Sequence, residues 1–270
     1  VPRERHMKNT FQGKVVVVTG ATSGIGRAAA AEFAKRGARV ISVARRPSEQ
    51  FESVCADVTD EAQVEAAVSE IIRRCGRIDI LVNNAGGGIS GAIEDTPPAE
   101  AERLMQLNFF GAFRFVRAVL PHMRAQGRGT IVNVSSVAAE FAIPFQAFYS
   151  ASKAALSSLS DALRIEVAPF GIGVGAVLPG DVRTQFTASR KKETDSAVYA
   201  ARAARAVEAM ERDERGGMSP EQVARAIVRA AGKKHPPVCK VVGGKYRLFV
   251  LLKRILPARL VNALLGKMYG

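Results

Sequence analysis

Tyr149 and Lys153 stand four residues apart in Tyr149-Ser150-Ala151-Ser152-Lys153, within a run of helix-forming residues. That spacing puts a phenol and an ammonium on one helix face. A free tyrosine hydroxyl titrates near ~10, too high for proton transfer around neutral pH. Lowering it by about three units requires roughly 4 kcal/mol of preferential stabilisation of the phenolate, and nearby positive charge is the natural source. Ser136, thirteen residues upstream of Tyr149, could hydrogen-bond an oxygen on which negative charge develops. Together the three suit proton exchange with a carbonyl oxygen. Each has an ordinary reading when taken singly: a solvated helical pair, or a serine at a strand end.

Other chemistries have little to work with. The chain holds three histidines (His6, His122, His235) and three scattered cysteines (Cys55, Cys75, Cys239), with no metal-ligand spacing. A histidine triad, a zinc site and a disulfide framework are not expected, and a reducing compartment fits.

The elements that must position these residues follow a strand-then-helix rhythm. Val15-Val16-Val17-Val18 is a β-branched run of the kind buried on both faces of a parallel sheet. Thr19-Gly20-Ala21-Thr22-Ser23-Gly24-Ile25-Gly26 follows, and then an Ala-rich helix over 24–36 stopped by Gly37. Glycines between a strand and a helix let the backbone turn tightly and approach a pyrophosphate, which the helix amino terminus then binds. The spacing is Gly-x3-Gly-x-Gly rather than the commoner Gly-x-Gly-x-x-Gly. Further strands are expected at 39–43, 54–56, 78–82, 130–134, 172–177 and 238–242, with a helix over 61–74. The result is an α/β fold in one domain, a Rossmann-like doubly wound parallel sheet of about seven strands with helices on both faces. Too few residues separate the second and third strands for a crossover helix, so a bare loop is expected there. Residues 185–220 break the rhythm: no strand is expected, and an insertion at the carboxyl ends of the strands is placed to cover a substrate.

The glycine spacing, Asn83-Asn84-Ala85-Gly86, Asn108, Ser136, the Tyr149–Lys153 motif and Pro179-Gly180-Asp181-Val182-Arg183-Thr184 occur in one order. Together they resemble the short-chain dehydrogenase/reductase family over roughly residues 11–243. The resemblance implies a nicotinamide-dependent oxidoreductase with Asn108, Ser136, Tyr149 and Lys153 as its catalytic set. It implies that Lys153 also binds the nicotinamide ribose and that Asn108 supports a water-linked proton relay. Cofactor contacts are implied at Gly20, Thr22, Ser23, Gly24, Ile25, Gly26, Asn84, Ala85 and Gly86, and at Pro179, Gly180, Val182 and Thr184. Asp57 and Val58 fit the family's adenine-contacting position. Family members often pair through the helices that here span about 101–126 and 150–168, so a homodimer or homotetramer is expected.

The second strand runs into Val43-Ala44-Arg45-Arg46 and not into an acid, which favours the 2′-phosphate of NADP over the free ribose of NAD. The segment between Ser136 and Tyr149 is rich in apolar residues and holds no arginine, so a hydrophobic ketone, aldehyde or alcohol is the expected substrate. A cofactor-binding regulator without turnover and a reductase of small polar carbonyls are the alternatives. The net charge is +14, but residues 233–270 hold nine Lys/Arg and no acid, which leaves the body nearly balanced. A nucleic-acid partner is therefore not expected. The tail over 244–270 is basic and amphipathic, suited either to peripheral contact with an anionic bilayer or to packing over the cleft. The leader over 1–7 has no apolar core and reads as a cloning remnant, with Met7 as the start. No stretch reaches the ~18 apolar residues of a spanning helix, and a cytoplasmic location is expected.

Overall fold

A computed structural model describes residues 10–186, 190–193 and 197–269. The leader, with Met7, lies outside the described residues, as does part of the insertion over 185–220. The strands and helices, in chain order, are β1 (Val15–Thr19), α1 (Gly24–Ala34), β2 (Arg39–Ala44), β3 (Glu52–Cys55), α2 (Glu61–Cys75), β4 (Ile80–Asn83), β5 (Ile89–Gly91), α3 (Pro98–Met105), α4 (Gly111–Ala125), β6 (Gly129–Val134), α5 (Ala147–Val167), β7 (Ile172–Pro179), β8 (Lys191–Glu193), α6 (Ala200–Arg215), α7 (Pro220–Ala231), β9 (Cys239–Val242), α8 (Gly244–Ile255) and α9 (Ala258–Tyr269).

Seven strands form one parallel sheet in the order β3-β2-β1-β4-β6-β7-β9. The chain starts in the middle at β1 and winds outward both ways, so a crevice opens at the carboxyl ends of β1 and β4, where the strand order reverses. All five residues of β1 are buried. Because strand side chains alternate between faces, Val16 and Val18 pack with Phe33 and Ile227 on one face, and Val15 and Val17 pack with Ile71 and Phe115 on the other. Helices α1 and α7 cover the first face; α2, α4 and α5 cover the second. The β2–β3 connection has no helix; Ser48 Oγ closes it by accepting from Gln50 N at 3.2 Å and Phe51 N at 3.3 Å.

Local signals set the helix ends. Asp60 caps α2 by accepting from Gln63 N at 3.0 Å, and Gly76 ends it in the left-handed region at φ +72°. Ser219 and Gln222 form a reciprocal capping box at the start of α7, with Pro220 in its first turn.

The insertion departs from expectation. Residues 191–193 form a strand, β8, parallel to β5. Three residues paired outside the main sheet carry no hydrophobic alternation, so nothing in the sequence marks them. The phenylalanines in and around the start of α4 divide between core and surface: Phe115 is fully buried, whereas Phe110 and Phe113 are 38% and 39% exposed.

Candidate active site

The phosphate-cradle geometry is set by glycines that no other residue could replace without movement. Gly20 and Gly24 adopt φ +66° and +51°. A Cβ on Gly26 would sit 2.3 Å from the Gly20 carbonyl oxygen and 2.4 Å from Asn84 Nδ2. Asn84 ties this turn to the end of β4: its Nδ2 donates to Thr19 O at 3.0 Å and Gly20 O at 3.3 Å. Thr19 Oγ1 accepts in return from Asn84 N at 2.9 Å and Ala85 N at 3.0 Å. At the start of α1, Ser23 makes no side-chain cap and the first turn holds no acid. The helix therefore offers N–H donors and the positive end of its dipole to an anion. Thr22, Ser23 and Gly24 line a cleft of about 1220 Å³, together with Arg27, Arg183 and Thr184. These features fit a dinucleotide.

At the outer edge, Arg45 and Arg46 follow the end of β2 and are exposed. Neither enters an ion pair among the described residues. Asp57 Oδ1 is committed to its own turn, accepting from Thr59 N at 2.9 Å and Thr59 Oγ1 at 2.7 Å. The Val58 side chain is buried against Gly111.

Helix α5 carries Tyr149 to the wall of a second, smaller cavity of about 130 Å³, whose lining includes Ile25, Ser136, Tyr149, Pro179, Val182 and Phe186, with Lys153 one turn further along the helix. Ser136 caps the short turn 137–139, its Oγ accepting from Ala138 N at 3.1 Å. The Tyr149 ring lies 5.4 Å from the ring of Phe186. The Lys153 Nζ lies 5.9 Å from the Tyr149 ring centre and donates to Val134 O at 3.0 Å. The substrate-side loop is strained at Phe145, whose φ of +60° is rare for an aromatic residue. Its carbonyl is fixed by Gly91 N at 2.9 Å.

Asn108 lies in a single π-helical turn, residues 106–110, between α3 and α4. Such turns put an extra residue into the helix and recur at functional sites. Here it drives the Asn108 side chain inward, 1% exposed. Its Oδ1 accepts from Gly87 N at 2.8 Å, and its Nδ2 donates to Gly87 O at 3.0 Å and Ser152 Oγ at 2.9 Å. Ser152 Oγ in turn donates to Tyr149 O at 2.8 Å, so Asn108 pins the glycine loop to the helix that bears the tyrosine.

The electrostatics differ from the sequence expectation. Burial, the largest cause, pushes the Tyr149 hydroxyl up to about 12; a Ser136 hydrogen bond opposes it, and the Glu214 and Asp181 carboxylates raise it further. The residue as a whole is partly exposed, while its hydroxyl end is enclosed. Burial also pushes the Lys153 ammonium down to about 8. The expected Lys153-driven lowering of the phenol is therefore not a property of the chain by itself: desolvation outweighs it, and the ammonium is turned towards Val134 O.

The structure brings Gly20–Gly26, Asn84–Gly86, Ser136, Tyr149, Lys153 and Pro179–Thr184 to one crevice. It adds residues the sequence did not single out. Glu214, from α6, reaches the catalytic cavity and pairs with Arg190, whose side chain is fully buried. Tyr246, from the tail, packs so closely on Gly180 that a Cβ there would meet its ring at 2.1 Å, and its hydroxyl donates to Asp181. Arg190 and Glu214 are 24 positions apart and share no motif. Tyr246 sits in a segment whose basic, amphipathic pattern drew attention to its outer face.

The family model "short chain dehydrogenase" matches residues 14–195. A 3-ketodihydrosphingosine reductase of Bacteroides thetaiotaomicron is 39% identical over 267 residues, spanning 96% of this chain and 99% of that protein. Dehydrogenase/reductase SDR family member 7B of Bos taurus is 35% identical over 251 residues, spanning 86% of this chain and 74% of its own. A short-chain dehydrogenase crystal structure from Streptomyces avermitilis superposes with a TM-score of 0.82 at 35% identity, covering 94% of this chain and 96% of that one. The chain belongs to the short-chain dehydrogenase family and is an NAD(P)-dependent oxidoreductase.

Proposed function

We propose that the protein reduces the ketone of a long-chain amphiphile of the 3-ketodihydrosphingosine type, using NADPH, at a membrane surface. The observation that carries this is the convergence of Ser136 and Tyr149 on one small cavity beside the dinucleotide crevice, with Lys153 one helical turn from the tyrosine. The similarity to the Bacteroides reductase, which runs nearly end to end, supports the substrate class. The cavity, at about 130 Å³, holds the equivalent of about four waters at ~30 Å³ each. It therefore admits the reacting head of such a molecule, while a hydrocarbon chain must leave it. An apolar cluster of Leu178, Val241 and Val250, with Val137, Phe141 and Tyr246 packed against it, continues from the cavity wall towards α8.

The glycine turn and α1 would hold the pyrophosphate, Lys153 the nicotinamide ribose, and Pro179, Val182 and Thr184 the nicotinamide end. A nicotinamide bound there supplies the hydride. Ser136 Oγ orients the substrate oxygen and stabilises charge developing on it. Tyr149 holds the proton that this oxygen receives. Lys153 keeps positive charge beside the phenol, and Asn108 locks the loop and helix that carry these groups. The insertion, which brings Phe186 and Glu214 to the cavity, acts as its lid and excludes water. Oxidation of NADPH by purified protein with a long-chain 3-keto amine tests the reading; turnover confined to small sugars or acids would overturn it.

Arg45 and Arg46 favour NADP because a free guanidinium fork matches a phosphate dianion. Arg45→Asp is expected to weaken NADP+ binding at least tenfold while NAD+ binding holds or improves, measured by calorimetry. An unchanged ratio of the two affinities would remove the assignment.

No helix among the described residues is long and apolar enough to cross a membrane. The tail nevertheless presents an apolar face outward. Leu248, Leu251, Leu252 and Ile255 recur at helical spacing on α8 and are 54%, 54%, 39% and 71% exposed. Leu260, Leu264 and Met268 form a second exposed row at helical spacing on α9. Arg247, Arg254, Arg259 and Lys267 flank it, and no acid lies beyond residue 232. Apolar contact with adjacent cations fits an anionic bilayer, each cation adding roughly 1 kcal/mol, and supports a reading of the enzyme as a peripheral protein at a membrane surface. Leu251→Glu with Ile255→Glu is expected to abolish co-sedimentation with phosphatidylserine vesicles; retained binding would show that another face docks. Exposed Phe110, Phe113 and Ile165, on the helical segments after α3 and on α5, support a homodimer or homotetramer.

A further inference from the structure

Among the described residues, two charged side chains line the cavity that holds Ser136 and Tyr149, and both are acidic: Asp181 and Glu214. They are not equivalent. Glu214 is paired with Arg190, whose side chain is fully buried. Asp181 accepts a hydrogen bond from the Tyr246 hydroxyl, and no described cation pairs with it. Burial raises the Asp181 carboxyl above its usual range and the Asp213 charge adds to this; the Tyr246 hydrogen bond and the more distant Lys245 and Arg190 charges only partly oppose it. A partly buried carboxylate beside a reaction centre with no directly paired cation is costly, and a ligand cation would relieve that cost.

The location of Asp181 limits which cation that is. It follows Pro179-Gly180 at the end of β7, on the same small cavity as Ser136 and Tyr149. A carbonyl oxygen held by Ser136 and Tyr149 leaves room in about 130 Å³ for little more than the groups on the flanking carbons. We infer that Asp181 is a specificity-determining residue that accepts the ammonium of a substrate bearing an amine on the carbon next to its ketone. Glu214, neutralised by Arg190, closes the wall, and Tyr246 holds the Asp181 carboxylate in position from the tail. The assignment rests on the reductase reading, with the ammonium contact as its added content.

The test uses two short-chain ketones below their micellar concentrations, one a 2-amino-3-ketone and the other its desamino counterpart, together with the two corresponding alcohols. Turnover is measured with the ketones. Affinity of the alcohols for the protein with NADPH, a pair between which no hydride can pass, is measured by calorimetry, which requires no turnover. In the wild type the amine is expected to be favoured at least tenfold in both kcat/KM and affinity. Asp181→Asn, isosteric and still able to accept from Tyr246, is expected to reduce that preference at least tenfold, with the change carried mainly by KM. Equal handling of the two ketones by the wild type, or a preference that survives Asp181→Asn, would overturn the inference while leaving the reductase reading intact. Amine-selective binding erased by Asp181→Asn, with neither ketone turned over, would uphold the ammonium site and overturn the reductase reading instead.

Discussion

Tyr149→Phe is expected to lower kcat for ketone reduction by about 10²–10⁴-fold, the usual contribution of a positioned proton donor. The substitution deletes one oxygen and leaves the ring, which packs 5.4 Å from Phe186, in place. Melting temperature and dinucleotide affinity should therefore stay close to wild type, and the loss should fall on turnover. A hydroxyl pushed up to about 12 by burial is fully protonated across the neutral range, which suits donation to a carbonyl oxygen. Alcohol oxidation needs the opposite form, the phenolate. Its rate is accordingly expected to climb with pH through the alkaline range while the reductive rate does not rise. Steady-state rates in both directions across pH, for wild type and variant, check this. Turnover within about threefold of wild type in Tyr149→Phe would remove the phenol from the chemistry.

The same contrast explains what the sequence could and could not reveal. Continuous Val/Ile runs, glycine stops and the strand–helix alternation are local consequences of burial and chain geometry, and the seven-stranded sheet follows from them. The glycine turn is legible for the same reason, since a positive φ at Gly20 and a close approach at Gly26 leave no other residue type possible. Tyr149, Lys153 and Ser136 are legible because helical spacing and strand-end position bring them together. The sign of the pKa shift at Tyr149 is not, because it depends on how tightly Phe186, Asp181 and Glu214 enclose the hydroxyl, and these come from residues 32 to 65 positions further on. The π-turn at Asn108 has no sequence signature beyond the residue it displaces. Helix α8 shows both sides of this: its outer stripe was plain from periodicity, whereas its inner contact of Tyr246 with Gly180 and Asp181 exists only in three dimensions.

Lys153→Met separates function from stability more sharply than any other change at the site. The variant is expected to lose at least 100-fold in turnover, in the range of removed acid–base machinery, yet to melt no lower than the wild type at neutral pH. Burial moves the ammonium from 10.5 to about 8, which corresponds to about 3 kcal/mol of cost in holding the charged form inside the fold. Removing the lysine relieves that cost but leaves Val134 O without its 3.0 Å donor, a loss of about 1–3 kcal/mol. The pH dependence identifies the cause. Between pH 8 and 10.5 the unfolded lysine still holds its proton while the buried one has released it, so wild-type stability should rise with pH in that window. The phenol of Tyr149, held up to about 12, contributes the opposite slope only above its ordinary value of 10. That term is common to both proteins and cancels in their difference. Denaturant unfolding at pH 7 and pH 9.5 should show the wild type gaining on Lys153→Met by up to about 1.4 kcal/mol per pH unit above pH 8. A parallel pair of stability curves would mean that the folded lysine keeps its proton to as high a pH as the unfolded one, so that burial does not lower it, and the desolvation cost assigned to the ammonium would go with it.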